Sequence, residues 1–221
     1  LRYIYMKVEV YIPDTLSEIT LDKYQRYLKI QEENTDENFL AIKLIEIFCG
    51  LRGDTIMSMK AKSIKDITLI LTEMFNEKPQ LVKEFKLNGK TYGFIPKLED
   101  MSFGEYIDLD TYIGDMDNIH RAMNVLYRPI KQKYQDKYLI EDYTGDDPEK
   151  MKQMPMDAVL SSILFFYNLG MDLSKTMLNS LEDNKEINLA QYLTSEENGD
   201  GINHFSDSLK EILEDLKISL N

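Results

Sequence analysis

The amino-acid sequence predicts an α+β fold, predominantly helical, with a small antiparallel sheet made of an N-terminal strand and an Asn-Gly hairpin. Three observations carry this. Residues Ile4, Met6, Val8, Val10 and Ile12 alternate with Tyr3, Tyr5, Lys7, Glu9 and Tyr11, the period of a strand with one buried face. Asn88-Gly89 stands between Phe85-Leu87 and Tyr92-Phe94 and supplies the two positive φ angles of a tight hairpin turn. Elsewhere the apolar residues recur three or four apart, as on one side of a helix. The 221 residues suffice to bury a core without disulfide or metal staples.

Taken in order, Pro13 removes a backbone donor and ends the first strand. Thr20 opens a helix whose stripe is Leu21, Tyr24, Tyr27 and Leu28, with Asp22, Lys23, Arg26 and Lys29 facing water. The polar run Gln31–Glu37 reads as a loop. A second helix follows over Glu37–Cys49, so rich in apolar residues that it belongs at the centre, and Gly50 serves as its left-handed cap. Ser63 and Asp66 have the spacing of a capping arrangement for a third helix reaching Phe75. The hairpin over residues 84–96 is expected to pair with the N-terminal strand, because three strands are more stable than two.

Beyond the hairpin the acidic stretch Leu98–Asp117 reads as a connection. Asp115 is expected to cap a helix with Met116, Ile119, Met123, Leu126 and Ile130 on its apolar stripe. Pro129 stops or kinks it, and the basic run Lys131–Lys137 extends it to near Tyr138. Glu141–Pro155 has linker composition, with Asp147-Pro148 placed as a helix start. An apolar helix is expected over Met156–Leu169, ended by Gly170, then another over Leu173–Leu181, a turn at Gly199-Asp200-Gly201, and a last amphipathic helix over Ser206–Ile218. Residues 1–140 are therefore read as an α+β unit. Residues 141–221 are a C-terminal helical unit, separate or packed on the first as one domain.

Composition narrows the function classes. Lys and Arg total 26 against 39 Asp and Glu, a formal net charge of -13, which repels phosphate backbones and anionic lipid. Nucleic acid and membrane are therefore not expected partners, and no run approaches the roughly 20 apolar residues of a membrane span. The one cysteine, Cys49, cannot form an internal disulfide, which fits a reducing compartment or a particle assembled in one. No basic region followed by an apolar run opens the sequence. Leu1 precedes the first methionine, Met6, so residues 1–5 read either as preceding the natural start or as the edge of a fragment.

Groups able to make or break bonds are scarce. Glu99, Asp100, Glu105, Asp108, Asp110, Asp115 and Asp117 crowd one stretch and could hold a divalent cation, but turn and cap residues on a solvated segment explain them more simply. Glu196, Asn198, Asp200, Gly201 and Asp207 mimic a calcium loop with the wrong residue types at its first and last positions, and read as an interhelical turn. Cys49 lies in an apolar run, where a thiol is inert, and His120 reads as a packed or surface histidine. No nucleophile elbow or phosphate-cradling glycine motif occurs. The expectation is no catalytic residue, no metal and no cofactor.

Association is better supported. The sequence has 14 tyrosines and 12 methionines but no tryptophan, and Tyr3, Tyr5 and Tyr11 share the outer face of the first strand. Tyrosine gives large contact area with few rotors, and methionine packs adaptably. Phe103, Tyr106, Ile107 and Leu109 are apolar groups set among Asp108 and Asp110, suited to docking on a partner with a basic rim. These nine residues are the expected partner-binding set. Within a monomer the same segment could be a strut, and the tyrosines a second packing layer.

Three strings add a resemblance: Ile12–Leu21 followed by Tyr24-Gln25, Met101–Asp110, and Ala122–Pro129. Over about residues 8–130 the chain resembles small proteins encoded in the structural modules of tailed bacteriophages, including crAss-like phages of Bacteroidetes. It is also similar to tail or baseplate assembly proteins of T-even-like phages. The resemblance implies a non-enzymatic virion component or head or tail assembly factor, found in the virion or the bacterial cytoplasm. Its partners would be other phage structural proteins, and it could be oligomeric within a particle. The alternatives are a metal-dependent enzyme using the Glu99–Asp117 stretch and a host-directed regulatory binder.

Overall fold

Thr20, extended at its own backbone, caps the first helix by accepting from the Lys23 amide at 3.4 Å, and the computed structural model, which describes residues 9–183 and Lys210, builds outward from there. Helix α1 (Leu21–Glu33) is followed by α2 (Glu37–Cys49), where the Asp36 carboxylate accepts from the Asn38 and Phe39 amides. Gly50, at φ 67°, ends α2 in the left-handed conformation that glycine adopts without steric cost. A short helix α3 (Gly53–Met57) leads to α4 (Ala61–Phe75). The start of α4 corrects the reading from Ser63 and Asp66: the helix begins two residues before Ser63, with Lys60 at its cap position. Tyr24, Tyr27, Phe48 and Phe75 close this helical layer, with ring centroids 5.1 to 5.5 Å apart.

The hairpin forms as its sequence predicts. Strands β1 (Glu84–Leu87) and β2 (Lys90–Phe94) flank Asn88 and Gly89 at φ 49° and 77°. Its neighbour in the sheet is the largest departure from expectation. Residues 127–140 form a second hairpin, β3 (Tyr127–Tyr134) and β4 (Lys137–Ile140), and the four-stranded antiparallel sheet runs β1-β2-β3-β4. The expected helix through Ile130 to Tyr138 is absent. Arg128 precedes a proline, which favours extended backbone, and Pro129 has no amide to continue a helical ladder. The third strand is thus β3, while residues 9–12 are not in a strand and residues 1–8 lie outside the described region.

Two helices separate the hairpins: α5 (Phe103–Tyr112) and α6 (Ile119–Leu126). Helix α6 passes into β3 with no loop, Leu126 closing one element and Tyr127 opening the next. Asp115 accepts from the Asp117 and Asn118 amides ahead of α6, close to its expected capping role. After the β4 strand, a 3₁₀ segment (Pro148–Gln153) precedes α7 (Met156–Asp183), which continues through Gly170 rather than ending there.

One face of the sheet carries Phe85, Tyr92, Phe94 and Tyr127, and α7 covers it with Phe165 and Phe166. The Tyr127 side chain is fully buried, and its hydroxyl donates to the Val82 carbonyl at 2.6 Å and lies 3.0 Å from Ser162 Oγ. The Leu21 amide donates to the Met154 carbonyl at 3.0 Å and the Met156 amide to the Ile19 carbonyl at 2.8 Å, which clamps the starts of α1 and α7 together. Met151, Met154, Ala158 and Ile163 share one buried cluster with Leu21, Phe48 and Tyr127. No helix among the described residues is long and apolar enough to cross a membrane.

Candidate protein-interaction site

The acidic stretch read as a connection contains a well-made helix. Ser102 and Glu105 form a reciprocal cap at the start of α5: the Ser102 hydroxyl accepts from the Glu105 amide at 3.3 Å, and the Glu105 carboxylate accepts from the Ser102 amide at 2.6 Å. Helical periodicity then sorts the side chains into two stripes. Glu105, Leu109 and Ile113, spaced by four, are buried. Phe103, Tyr106, Ile107 and Asp110, at i, i+3, i+4 and i+7, face solvent, the three apolar ones at 77%, 54% and 45% exposure.

Three ties hold α5 in place. The second oxygen of Glu105 lies 2.7 Å from Arg128 Nη1 on β3, an ion pair with side chains only 8% and 11% exposed. The Tyr143 hydroxyl donates to the Asp108 carboxylate at 2.7 Å, and burial, followed by that hydrogen bond, pushes the Tyr143 pKa upward. The Arg121 guanidinium on α6 sits 5.3 Å from the Tyr112 ring centre, within cation–π range. Gln25 of α1 donates to the carbonyls of Met116 and Asp117, fastening the segment behind α5 to the helical layer.

The structure thus gathers four of the nine expected binding residues on one outward face: Phe103, Tyr106, Ile107 and Asp110. Leu109 is a correction, since it is 5% exposed and belongs to the inner stripe, as its spacing from Glu105 and Ile113 dictates. Asp108 is half-buried and engaged by Tyr143. Tyr11 is exposed but stands apart, its hydroxyl donating to Glu18; that bond lowers the Glu18 pKa and raises that of Tyr11. Tyr3 and Tyr5 lie outside the described residues, as do the Glu196–Asp207 loop, the Gly199-Asp200-Gly201 turn and the expected Ser206–Ile218 helix, except Lys210.

The carboxylates read as a metal candidate do not converge. Asp100 pairs with Lys97, Glu105 with Arg128 and Asp117 with Lys29, while Asp115 serves backbone amides. No group of three or more His, Cys, Asp or Glu among the described residues is placed to hold a metal ion. A groove of about 1260 Å³ opens beside α5, bordered by Phe94, Pro96, Leu98, Arg128, Tyr138 and Leu139. Its walls mix apolar groups with the Glu105–Arg128 ion pair. Cys49 is half-buried, and burial pushes its thiol to about 11, consistent with an inert thiol.

The geometry places an exposed apolar stripe, Phe103, Tyr106 and Ile107, beside Asp110 on a helix tied to the sheet from behind. Comparison with protein-family models, with curated proteins and with solved structures gives no match.

Proposed function

We propose that this protein works without chemistry of its own, by binding another protein through the outer face of α5. The observation that carries this reading is Phe103, Tyr106 and Ile107 held out to solvent on a helix anchored from behind by a buried ion pair. Large apolar groups on a fixed element bind at low ordering cost, because little conformational freedom is left to lose. Asp110 on the same face, within a helix that has three carboxylates and no cation, selects a partner with a basic rim. The setting we propose is a bacteriophage virion component or morphogenesis factor, in the particle or the bacterial cytoplasm, which is what the strings Met101–Asp110 and Ala122–Pro129 imply.

The test is to isolate the complexes the chain enters in the cells that make it, for wild type, Tyr106→Ala and Ile107→Ala. Both variants are expected to keep the wild-type melting temperature and to lose a complex that wild type holds at fixed stoichiometry. Complexes unchanged in both variants refute this surface. A virion component then cofractionates with purified particles, whereas an assembly factor does not.

A further inference from the structure

Strand β4 is an edge of the sheet, with β3 on one side and no strand on the other among the described residues. The Glu141 amide just beyond it donates to the Pro129 carbonyl at 2.9 Å, so Glu141 turns its backbone toward β3. Backbone direction alternates along an antiparallel strand. Lys137 and Leu139 therefore also face β3, while the N–H and C=O groups of Tyr138 and Ile140 point to the open side. No other group among the described residues takes them. Side chains alternate as well: Lys137, Leu139 and Glu141 share one face, and Tyr138 and Ile140 the other, where the Tyr138 ring lies over Gly93. Lys137, Leu139 and Glu141 are exposed, Leu139 at 63%. Neither Lys137 nor Glu141 has an ion pair among the described residues.

The stretch Lys137-Tyr138-Leu139-Ile140-Glu141 is complementary to itself in antiparallel alignment. With Leu139 of two copies opposed, Lys137 of each meets Glu141 of the other, on the same face as the Leu139 pair. Tyr138 of each meets Ile140 of the other on the opposite face. These are the residues whose backbone groups point outward, so each such pair exchanges both of its hydrogen bonds. A slip of one residue sets outward groups against inward ones and forms no ladder. A slip of two sets Lys137 against Leu139 in one direction and Leu139 against Glu141 in the other. One register alone therefore satisfies backbone, charge and apolar groups together. Asp136 and Asp142 meet at its ends, where Lys131 already offsets Asp142 at 2.9 Å.

From this self-match we infer that the chain dimerises about a twofold axis at Leu139, β4 of each copy adding to the sheet of the other. The contact uses a different surface from α5 and goes beyond the binding role proposed for that helix. It is isologous, so it closes at two copies. A lysine on an edge strand ordinarily discourages pairing. Here Glu141 of the other copy answers that charge in one register only, which favours the self-pair over indiscriminate edge contacts. Two short strands bury less than the roughly 1,600 Å² of a standard interface, so association is concentration-dependent and salt-sensitive.

The test is a charge swap in the full chain, read by sedimentation velocity from about 1 to 200 μM at about 50 mM salt, which preserves exposed pairs. Wild type is expected to pass from monomer to dimer. K137E alone and E141K alone each oppose like charges twice across the axis and should weaken dimerisation about tenfold. K137E/E141K restores opposite charges and should return dimerisation to within about threefold of wild type. Both positions are exposed, so far-ultraviolet circular dichroism should be unchanged. L139C checks the register: the opposed Cα atoms of a non-hydrogen-bonded pair lie about 4.5 Å apart, within disulfide reach. Under mild oxidation L139C should give a covalent dimer that wild type, which keeps Cys49, does not, and adding K137E should suppress it. A wild type that stays monomeric or grows past the dimer overturns the inference. So does dimerisation indifferent to the single swaps, a double variant as weak as the singles, or L139C cross-linking no more than wild type. None of these outcomes bears on α5, whose role is tested by Tyr106→Ala and Ile107→Ala.

Discussion

Replacing Arg128 with methionine tests what holds α5 against the sheet. The substitution keeps most of the side-chain volume and removes the guanidinium that lies 2.7 Å from Glu105, in a place where both side chains are about nine-tenths buried. Removing one member of a buried pair costs about 3–5 kcal/mol, because the survivor stays desolvated and unpaired. Glu105 keeps one charge-assisted bond from the Ser102 amide at 2.6 Å, which places the expected loss near the low end, about 3 kcal/mol. For a chain of this size that corresponds to a fall of about 6–12 °C in melting temperature. The double variant E105Q/R128M removes the stranded charge and keeps an acceptor for the Ser102 amide, so it should be about 1–2 kcal/mol more stable than R128M. Urea unfolding followed by circular dichroism at the helical band is the suitable assay, since the sequence has no tryptophan to report by fluorescence. An R128M chain within about 1 kcal/mol of wild type refutes the reasoning, and so does a double variant no more stable than R128M.

Two further outcomes follow from groups away from α5. His120 is buried, with Nε2 3.0 Å from Glu149 and Nδ1 lacking a partner, and burial pulls its pKa below the ordinary 6.5 despite that carboxylate, with Lys152 and Arg121 adding to the pull. The unfolded chain therefore takes up this proton first as pH falls. The contribution to stability is whole above about pH 6.5 and is lost below it, down to the folded-state pKa. Urea midpoints between about pH 7.5 and 5.5 should decline for wild type and flatten in His120→Gln, and an equal slope in both would count against this assignment. Gly93→Ala places a methyl 2.5 Å from Cε2 of Tyr138, whose ring is pinned by a 2.7 Å bond from its hydroxyl to the Phe94 carbonyl. The expected cost is about 1–3 kcal/mol, and a Tyr138→Ala background, which removes the obstructing ring, should relieve most of it. An undiminished cost in that background would point to a different obstruction.

What the sequence made legible, and what it hid, divides along local chemistry. Thr20 and Gly50 mark the start of α1 and the end of α2 through caps that act within a few residues, so those two boundaries could be read. Helix α1 instead runs to Glu33, three residues into the polar run Gln31–Glu37 read as a loop, and the Asp36 cap of α2 was not read. The Asn-Gly turn is equally local. The second hairpin was hidden because its turn residues, Gln135 at φ 53° and Asp136, lack the glycine that marks such turns. Ile130 also falls at a helical interval from Ile119, Met123 and Leu126, so the α6 stripe seemed to continue through β3. Pro129 carried the contrary signal. The α5 helix was obscured by its charge: Ser102 and Glu105 have the capping-box spacing, but the density of carboxylates around them suggested a loop. Phe103, Tyr106 and Ile107 stood out in the sequence only as large apolar groups set among carboxylates. That Leu109 turns inward could be known only once the segment was a helix. The pairing of Glu105 with Arg128 spans 23 residues and two element types, and no local pattern announces it.

The seam between α6 and β3 restricts how this chain can change over time. Because no loop absorbs slack at Leu126 and Tyr127, one residue added there would turn every β3 side chain to the opposite face of the sheet. Tyr127 would swing out from beneath α7, and Arg128 would leave Glu105. Substitutions near this seam can be tolerated one at a time, whereas insertions and deletions cannot. Lineages descended from this chain should therefore vary in length at the Glu141–Asp147 connection and keep the residue count between Ile119 and Tyr134 constant.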